Sequence, residues 1–548
     1  MQPPFSHQSD MADVTIATNA RVRERGRISR FAAVLLLIGV LGLGLRFAGD
    51  STRLFWTDEA ITALRTAGYT GAQLVAGMTG GVHTNTELMQ YVGRPVGRSL
   101  GSVVRSLAIE DAQHPPVYYL LTAMWTRVFG ASIASLRAPA LIFGLLVPFA
   151  LGWLCFELYG TRMAAALGFA LASVSPLLVI FSQQAREYGL WTAFLAASTA
   201  LLLRASRSEG MSWWYAYAAC CIIALYTGVL FAVVLLAQAI YGALYLRGAR
   251  RRACFVAICI TAVVFVPWAA AIALHAHTIA LSNAWTAGPW PLAMLVEKWA
   301  FNAGTVFFDL EYARVWLGTV LLPIFALTAY AVYWNVARGP RRRRILLASL
   351  IAVQIVALFL PDLILHQHRS SVTRYGMTLW ITLLVCVAGF LASRLRGEPR
   401  SRAIWGTTTL ALLAIAFTSS IVDVRSPIWW DNHQDAGNLP VAQTLNAGPA
   451  AEVVVPGRWE RLLDLGFYLK PDVRIMLLGR HGVARPVAPF SAGYLLGGES
   501  DRRAYVSAMG SSALKAVYVG RESNTQVRRF RGASGADTDT LTLWQFVR

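Results

Sequence analysis

Two adjacent carboxylates, Asp58 and Glu59, lie in the stretch Arg53-Leu54-Phe55-Trp56-Thr57-Asp58-Glu59-Ala60, just past the first long apolar segment of the chain. A positioned carboxylate can take a proton from a reacting hydroxyl. At a helix start the same pair could do no more than complement the helix dipole, worth roughly 0.3 to 1 kcal/mol. His114 before two prolines, the Arg186-Glu187 pair and the Arg374-Tyr375 pair raise the same question. A planar guanidinium can hold two phosphate oxygens, which makes Arg186 and Arg374 candidate phosphate partners. Each also has a plain reading: His114 as a loop residue, Arg186 as an interfacial anchor, Arg374 as a snorkelling side chain. Tyr375 and the Trp429-Trp430 pair fit an aromatic belt as readily as a sugar platform.

What must position these residues follows from composition. Of 548 residues, 56% are hydrophobic and 14% charged, where a soluble chain carries about 25% charge; the mean hydropathy is +0.49. Apolar runs of about 18 to 22 residues recur from Phe31 to Ile421, each able to cross a hydrocarbon core of roughly 30 Å. The fold class is therefore an all-α polytopic membrane protein. Its net charge of +20 is bunched into short connectors such as Arg204/Arg207, Arg250–Arg252, Arg341–Arg344 and Arg394/Arg396. Clusters beside membrane helices report orientation and argue against a nucleic-acid partner. All six cysteines fall inside apolar segments, so neither a disulfide framework nor a cysteine metal site is indicated.

Residues 1–30 form a basic tail expected in the cytosol, with a retained first helix running outward from it. The loop 50–136 is then outside the cell membrane. Within it, residues 57–79 read as a short surface helix with Thr57 as N-cap, and the segment from His114 to Trp125 as a helix lying in the interface. Continuing the pattern gives about 11 membrane helices, with a division near Tyr226-Thr227-Gly228 and a domain 31–421. From residue 422 charges return. The β-prone runs Glu452–Val455, Val473–Leu477, Ala516–Val519 and Leu541–Trp544 alternate with helix-like Trp459–Leu469 and Asp501–Met509, the pattern of a small α/β domain, 422–548, on the outer side.

On this topology Asp58, Glu59, His114, Arg186, Glu187, His275, His277, Asp309, Glu311, Arg314, His366, His368, Arg369 and Arg374 share the outer face. Ionisable groups at bilayer depth are costly unless paired or used. One use is a reaction between a lipid-borne substrate and a second molecule at the outer interface.

The order of motifs carries a resemblance. An outward first helix followed by Asp58-Glu59, then His114-Pro115-Pro116-Val117-Tyr118-Tyr119-Leu120-Leu121, then Arg137-Ala138-Pro139-Ala140, then Ser182-Gln183-Gln184-Ala185-Arg186-Glu187-Tyr188, resembles the GT-C-type membrane glycosyltransferases. Within them it looks like the group of protein O-mannosyltransferases and aminoarabinose transferases acting on lipid A. The resemblance implies a polyprenyl-phosphate-linked sugar donor, a glycan, lipid or protein acceptor, and a bacterial inner-membrane location. It also implies Asp58 as general base, Glu59 in a supporting or metal-contacting role, and His114, Arg186, Glu187, Arg374 and Tyr375 at the substrate. A divalent metal is possible by the same likeness. The main rival is a transporter or flippase of a lipid-linked saccharide, which predicts charges lining a path through the bundle.

Overall fold

The computed structural model describes residues 30–48, 53–93, 97–309, 317–429, 432, 435–448, 451–478, 493–497, 502–503, 513–519 and 542–547. Residues 1–29, Glu311, Arg314, Trp430 and most of 501–509 lie outside this set. The first helix, α1 (Arg30–Phe47), leads into a segment holding α2 (Thr57–Thr66), α3 (Gly71–Met78), β1 (His83–Thr84), α4 (Asn85–Met89), α5 (Leu100–Glu110) and α6 (Val117–Phe129). The bundle continues with α7 (Ile133–Tyr159), α8 (Arg162–Val174), α9 (Pro176–Ser182), α10 (Tyr188–Ala205), α11 (Ser212–Leu225), α12 (Phe231–Tyr245) and α13 (Gly248–Leu274). Two short helices, α14 (Ala276–Ser282) and α15 (Leu292–Gly304), precede α16 (Leu317–Val336), α17 (Arg341–Gln354), α18 (Leu360–Leu365), α19 (Met377–Arg394) and α20 (Pro399–Arg425).

The expected apolar segments are helical where they are described, but the count of about 11 spans is not reproduced by length and composition. Among the described residues seven helices are long and apolar enough to cross a bilayer, or eight if the bent pair α8 and α9 counts as one span. α10 to α12 are not among them. The α6 helix has 13 residues, roughly 20 Å of rise, too short to cross.

The sequence predicts one helix over 163–181, but the chain breaks at Ser175 and bends by 62°. Pro176 opens α9 and supplies no N–H to continue the ladder. The end of α8 is met by Arg46, fully buried at the end of α1, which donates to Ser173 O at 2.8 Å and Ala172 O at 3.1 Å. Gln183, just past α9, returns the tie by donating to the carbonyls of Leu45, Arg46 and Ala48. The exit of α1, and so the approach to Asp58, is fixed against this break. Nearby, α7 and α10 touch backbone to backbone: a Cβ on Gly189 would lie 3.1 Å from Gly144 N.

Two local expectations need correction. The surface helix expected over 57–79 is two helices, separated at Gly68, whose φ of +84° suits only a residue without Cβ. Thr57 is not the N-cap; Trp56 holds that position and makes no side-chain cap bond. The Thr57 amide and hydroxyl are instead bound from elsewhere in the chain.

Beyond α20, α21 (Asn438–Ala447), β2 (Glu452–Pro456), α22 (Trp459–Gly466), β3 (Arg474–Leu478), β4 (Tyr494–Gly497), β5 (Ala513–Val519) and β6 (Thr542–Val547) form the small α/β unit. Its sheet runs β1-β3-β2-β4-β6-β5. The β2 pairs with β3 and β4 are parallel and the rest antiparallel. The four strands expected from sequence are present, and β1 and β4 are additions. The segment between α1 and α7 contributes β1, in register His83 with Ile475. One apolar core also joins Phe55, Ala60, Leu64, Leu74 and Leu88 to Val441, Val453, Leu462 and Ile475.

Candidate functional site

Asp58 and Glu59 occupy the first turn of α2 but leave it on different faces, about 100° apart. The Asp58 side chain is partly exposed and its Oδ2 lies 3.5 Å from Arg374 Nη2. Glu59 is fully buried. Arg137 of α7 holds both its oxygens, at 2.8 and 2.7 Å, and the Ala185 amide donates to Oε1 at 2.7 Å. Arg137 also donates to the carbonyls of Arg53 and Leu54. Glu59 thus ties α2 to α7 and to the turn before α10.

That turn carries Arg186 and Glu187. Arg186 is buried and donates to Asp58 O (3.4 Å), Thr62 Oγ1 (3.2 Å) and Tyr188 Oη (3.4 Å). Its Nη2 lies 3.2 Å from His114 Nε2, and His114 Nδ1 lies 2.8 Å from Glu187 Oε1. A guanidinium can only donate, so Nε2 accepts and the proton on Nδ1 is given to Glu187. Burial alone would raise the Glu187 carboxyl, but Arg186 and His114 outweigh it and hold it at about 2. His114 enters the site because α5 ends at Asp111, whose carbonyl accepts from the His114 amide at 2.8 Å. The Asp111 side chain is in turn fixed by buried Arg65, at the far end of α2, at 3.0 Å.

Arg374 sits on the short turn before α19, with its guanidinium near the rings of Trp56 (6.0 Å), Trp285 (5.9 Å) and Tyr375 (5.5 Å). The structure therefore brings Asp58, His114, Arg186, Glu187, Arg374 and Tyr375 to one end of the bundle. Glu59 stands behind them. His277 and His366 are exposed, and His368 is buried, stacked on Trp290 and 3.2 Å from Gly288 O. Asp309 is held by Ser419 of α20. Among the described residues no three His, Cys, Asp or Glu side chains gather as a metal-ligand set, so the two His-x-His pairs do not make one.

The opposite end is basic. Buried Glu157 at the foot of α7 pairs with Arg204 and Arg207, and its carbonyl accepts from Arg342. α10 begins beside Glu187 and ends beside Arg204, a rise of roughly 27 Å. The acidic site and the arginine connectors thus lie about one hydrocarbon thickness apart.

Residues that sequence reasoning passed over also shape the site. Arg137, quoted only as part of a motif, is the partner of Glu59; a charge inside an apolar run was the available signal. Asp435 and Asp464, both buried, bind Thr57. Nothing in their spacing announces that.

Residues 113–271, from just before α6 through most of α13, match the family described as dolichyl-phosphate-mannose-protein mannosyltransferase. No curated protein matches the chain by sequence. Among solved structures, ArnT from Cupriavidus metallidurans bound to undecaprenyl phosphate aligns at 15% identity and a TM-score of 0.53, over 95% of this chain and 98% of that one. The apo form of the same protein aligns at 13% identity and 0.51, with the same coverage. The Archaeoglobus fulgidus oligosaccharyltransferase tethered with an acceptor peptide aligns at 10% identity and 0.48, over 82% of this chain and 64% of that one. Near end-to-end alignment with ArnT gives this chain the fold of the GT-C-type membrane glycosyltransferases.

Proposed function

We propose that this chain is a membrane glycosyltransferase that moves a sugar from a polyprenyl-phosphate carrier to a hydroxyl of a glycan, lipid or protein acceptor. In this reading the reaction runs at the outer face of a bacterial inner membrane, the side to which the small α/β domain is also assigned. The observation that carries this reading is the Asp58–Arg374 pair: a partly exposed carboxylate 3.5 Å from a guanidinium, at the end of the bundle away from the arginine connectors. A base and a phosphate-binding cation are the two groups that such a displacement needs. The match to a family named for a dolichyl-phosphate sugar donor, and the undecaprenyl phosphate bound by ArnT, support a lipid-phosphate carrier here.

In this scheme the acceptor oxygen attacks the anomeric carbon while its proton passes to Asp58. The bond from that carbon to the phosphate oxygen breaks, and its electron pair leaves with the lipid phosphate. Arg374 stabilises the negative charge that develops there. Arg186, with most of its donors already committed, orients the Asp58 backbone and His114. The partly exposed carbon edge of the His114 ring and, beside Arg374, the Tyr375 ring are the surfaces left for substrate. No step is routed through a metal, for which the described residues supply no ligand set.

The test is sugar transfer in proteoliposomes with a panel of polyprenyl-phosphate sugars, read as released polyprenyl phosphate. Asp58→Asn should lower turnover by about 10²- to 10⁴-fold and leave lipid binding intact. Full turnover by that variant would remove Asp58 as the base. Movement of intact donor across the bilayer without bond cleavage would favour the flippase instead.

A further inference from the structure

Residues 53–57 reach Asp58 through a sequence of bonds from the C-terminal part of the chain. Arg53 donates to Asp423 O at 2.9 Å and the Leu54 amide to Pro427 O at 3.0 Å. The Phe55 amide donates to Tyr468 Oη at 2.5 Å, and the Phe55 ring lies 4.4 Å from that of Phe467. The grip ends at Thr57, whose amide donates to Asp435 Oδ2 at 3.1 Å and whose hydroxyl donates to Asp464 Oδ2 at 2.7 Å. Thr57 is the first helical residue of α2, where the amides lack partners within the helix. A capping side chain on the preceding residue would reach the second or third helical amide rather than this one, and Trp56 offers none. Asp435, from the other end of the chain, accepts from the first amide, and Asp464 accepts from the hydroxyl beside it.

We propose that Asp435 and Asp464 are positioning residues for Asp58: by holding Thr57, the C-terminal domain sets the angle at which the base meets the acceptor. This rests on the glycosyltransferase reading above. Asp58 is the next residue in the same turn, so a shift at Thr57 passes to it through one peptide unit. The acids are unusual choices for a purely structural contact. Both are buried, at 2% and 0% exposure, and two neighbouring buried carboxylates do not readily both ionise. Burial raises both. The Thr57 amide opposes the rise at Asp435, leaving it at about 6, and Asp435 adds to the rise at Asp464. Facing them are Asp58 from α2, Arg461 from α22, Asn438 from α21 and the Tyr468 hydroxyl. One negative charge at the start of α2 suits its dipole; a second adds repulsion within the pair. The grip is therefore expected to loosen as the second carboxyl ionises.

The test uses the full chain in nanodiscs, with the donor and acceptor that give wild-type turnover. Asp464→Ala should lower kcat by about tenfold to a hundredfold, the effect of a small misplacement of a reacting group, with KM for the donor little changed. Hydrogen exchange over residues 57–60 should quicken. Asp464→Asn keeps an oxygen to accept from Thr57, so it should recover most of the lost kcat and move the alkaline limb of the pH profile. Thr57→Val removes the hydroxyl bond alone and should reproduce the loss of kcat should Asp464→Ala fail to fold. Unchanged kcat and unchanged exchange in Thr57→Val would overturn the proposal, as would a loss confined to KM. If the wild type transfers no sugar, the function reading fails separately, and exchange still decides whether the two acids hold the turn.

Discussion

Asp58 and Glu59 are chemically alike and adjacent, and the helix gives them opposite fates. The Glu59 carboxylate is enclosed with Arg137 in a two-point pair supplemented by the Ala185 amide. Removing one partner of such a pair strands the other charge away from water, at about 3 to 5 kcal/mol. Glu59→Gln should therefore lower the melting temperature of the detergent-solubilised protein far more than Asp58→Asn does. The double change Glu59→Gln with Arg137→Met should recover part of the loss, since it removes the stranded charge. Equal melting points for the two single variants would mean that Glu59 is not a structural tie. The sequence singled out the acidic pair as candidates, and the resemblance gave the two different roles, but neither showed Glu59 closed off against Arg137. Which neighbour faces inward depends on where α2 packs, and the clue was Arg137, a charge that an apolar helix carries only with a partner.

Among the elements, long apolar runs were readable because length and composition alone decide whether a helix can span. The division between α11 and α12 was equally readable, since Tyr226-Thr227-Gly228 interrupts a run too long for one helix. The α8–α9 break was less so: Pro176 signals a possible boundary, yet the bend persists because Arg46 meets carbonyls that the broken helix leaves open. Those bonds cross from α1 and have no local signature. Arg46→Met should leave the Ala172 and Ser173 carbonyls short of their donor, each costing about 1 to 3 kcal/mol, and should loosen the exit of α1. The measurable result is lower thermal stability, with faster proteolysis between α1 and α2 than in wild type. Arg46→Lys, which keeps a donor but not the fork, should fall between the two. Wild-type protease resistance in Arg46→Met would show that the break holds without its arginine.

At the scale of the whole molecule, the segment between α1 and α7 and the C-terminal α/β unit share a sheet and an apolar core. The change of composition expected at residue 422 falls inside α20, which runs on to Arg425, and the pairing of His83 with Ile475 had no signal, because contacts between distant segments leave no pattern in either one alone. This joint is where pH should act on stability. Asp435, raised to about 6, and Asp464, raised further, bind more protons folded than unfolded once pH exceeds about 4, the ordinary carboxyl value. Stability from this pair is thus fully present below pH 4 and is lost as pH rises through 6 and beyond. Glu187 works in the opposite sense: held at about 2, it favours the folded state above pH 4 and surrenders that contribution only as pH falls toward 2. Between pH 7 and pH 5 the buried acids are the changing pair, so the melting temperature should rise on acidification. Asp435→Asn, which cannot ionise, should flatten that slope while Glu187→Gln leaves it in place. A wild-type melting temperature that falls steadily from pH 7 to pH 5 would contradict the shared burial of the two acids at the joint that carries Asp58.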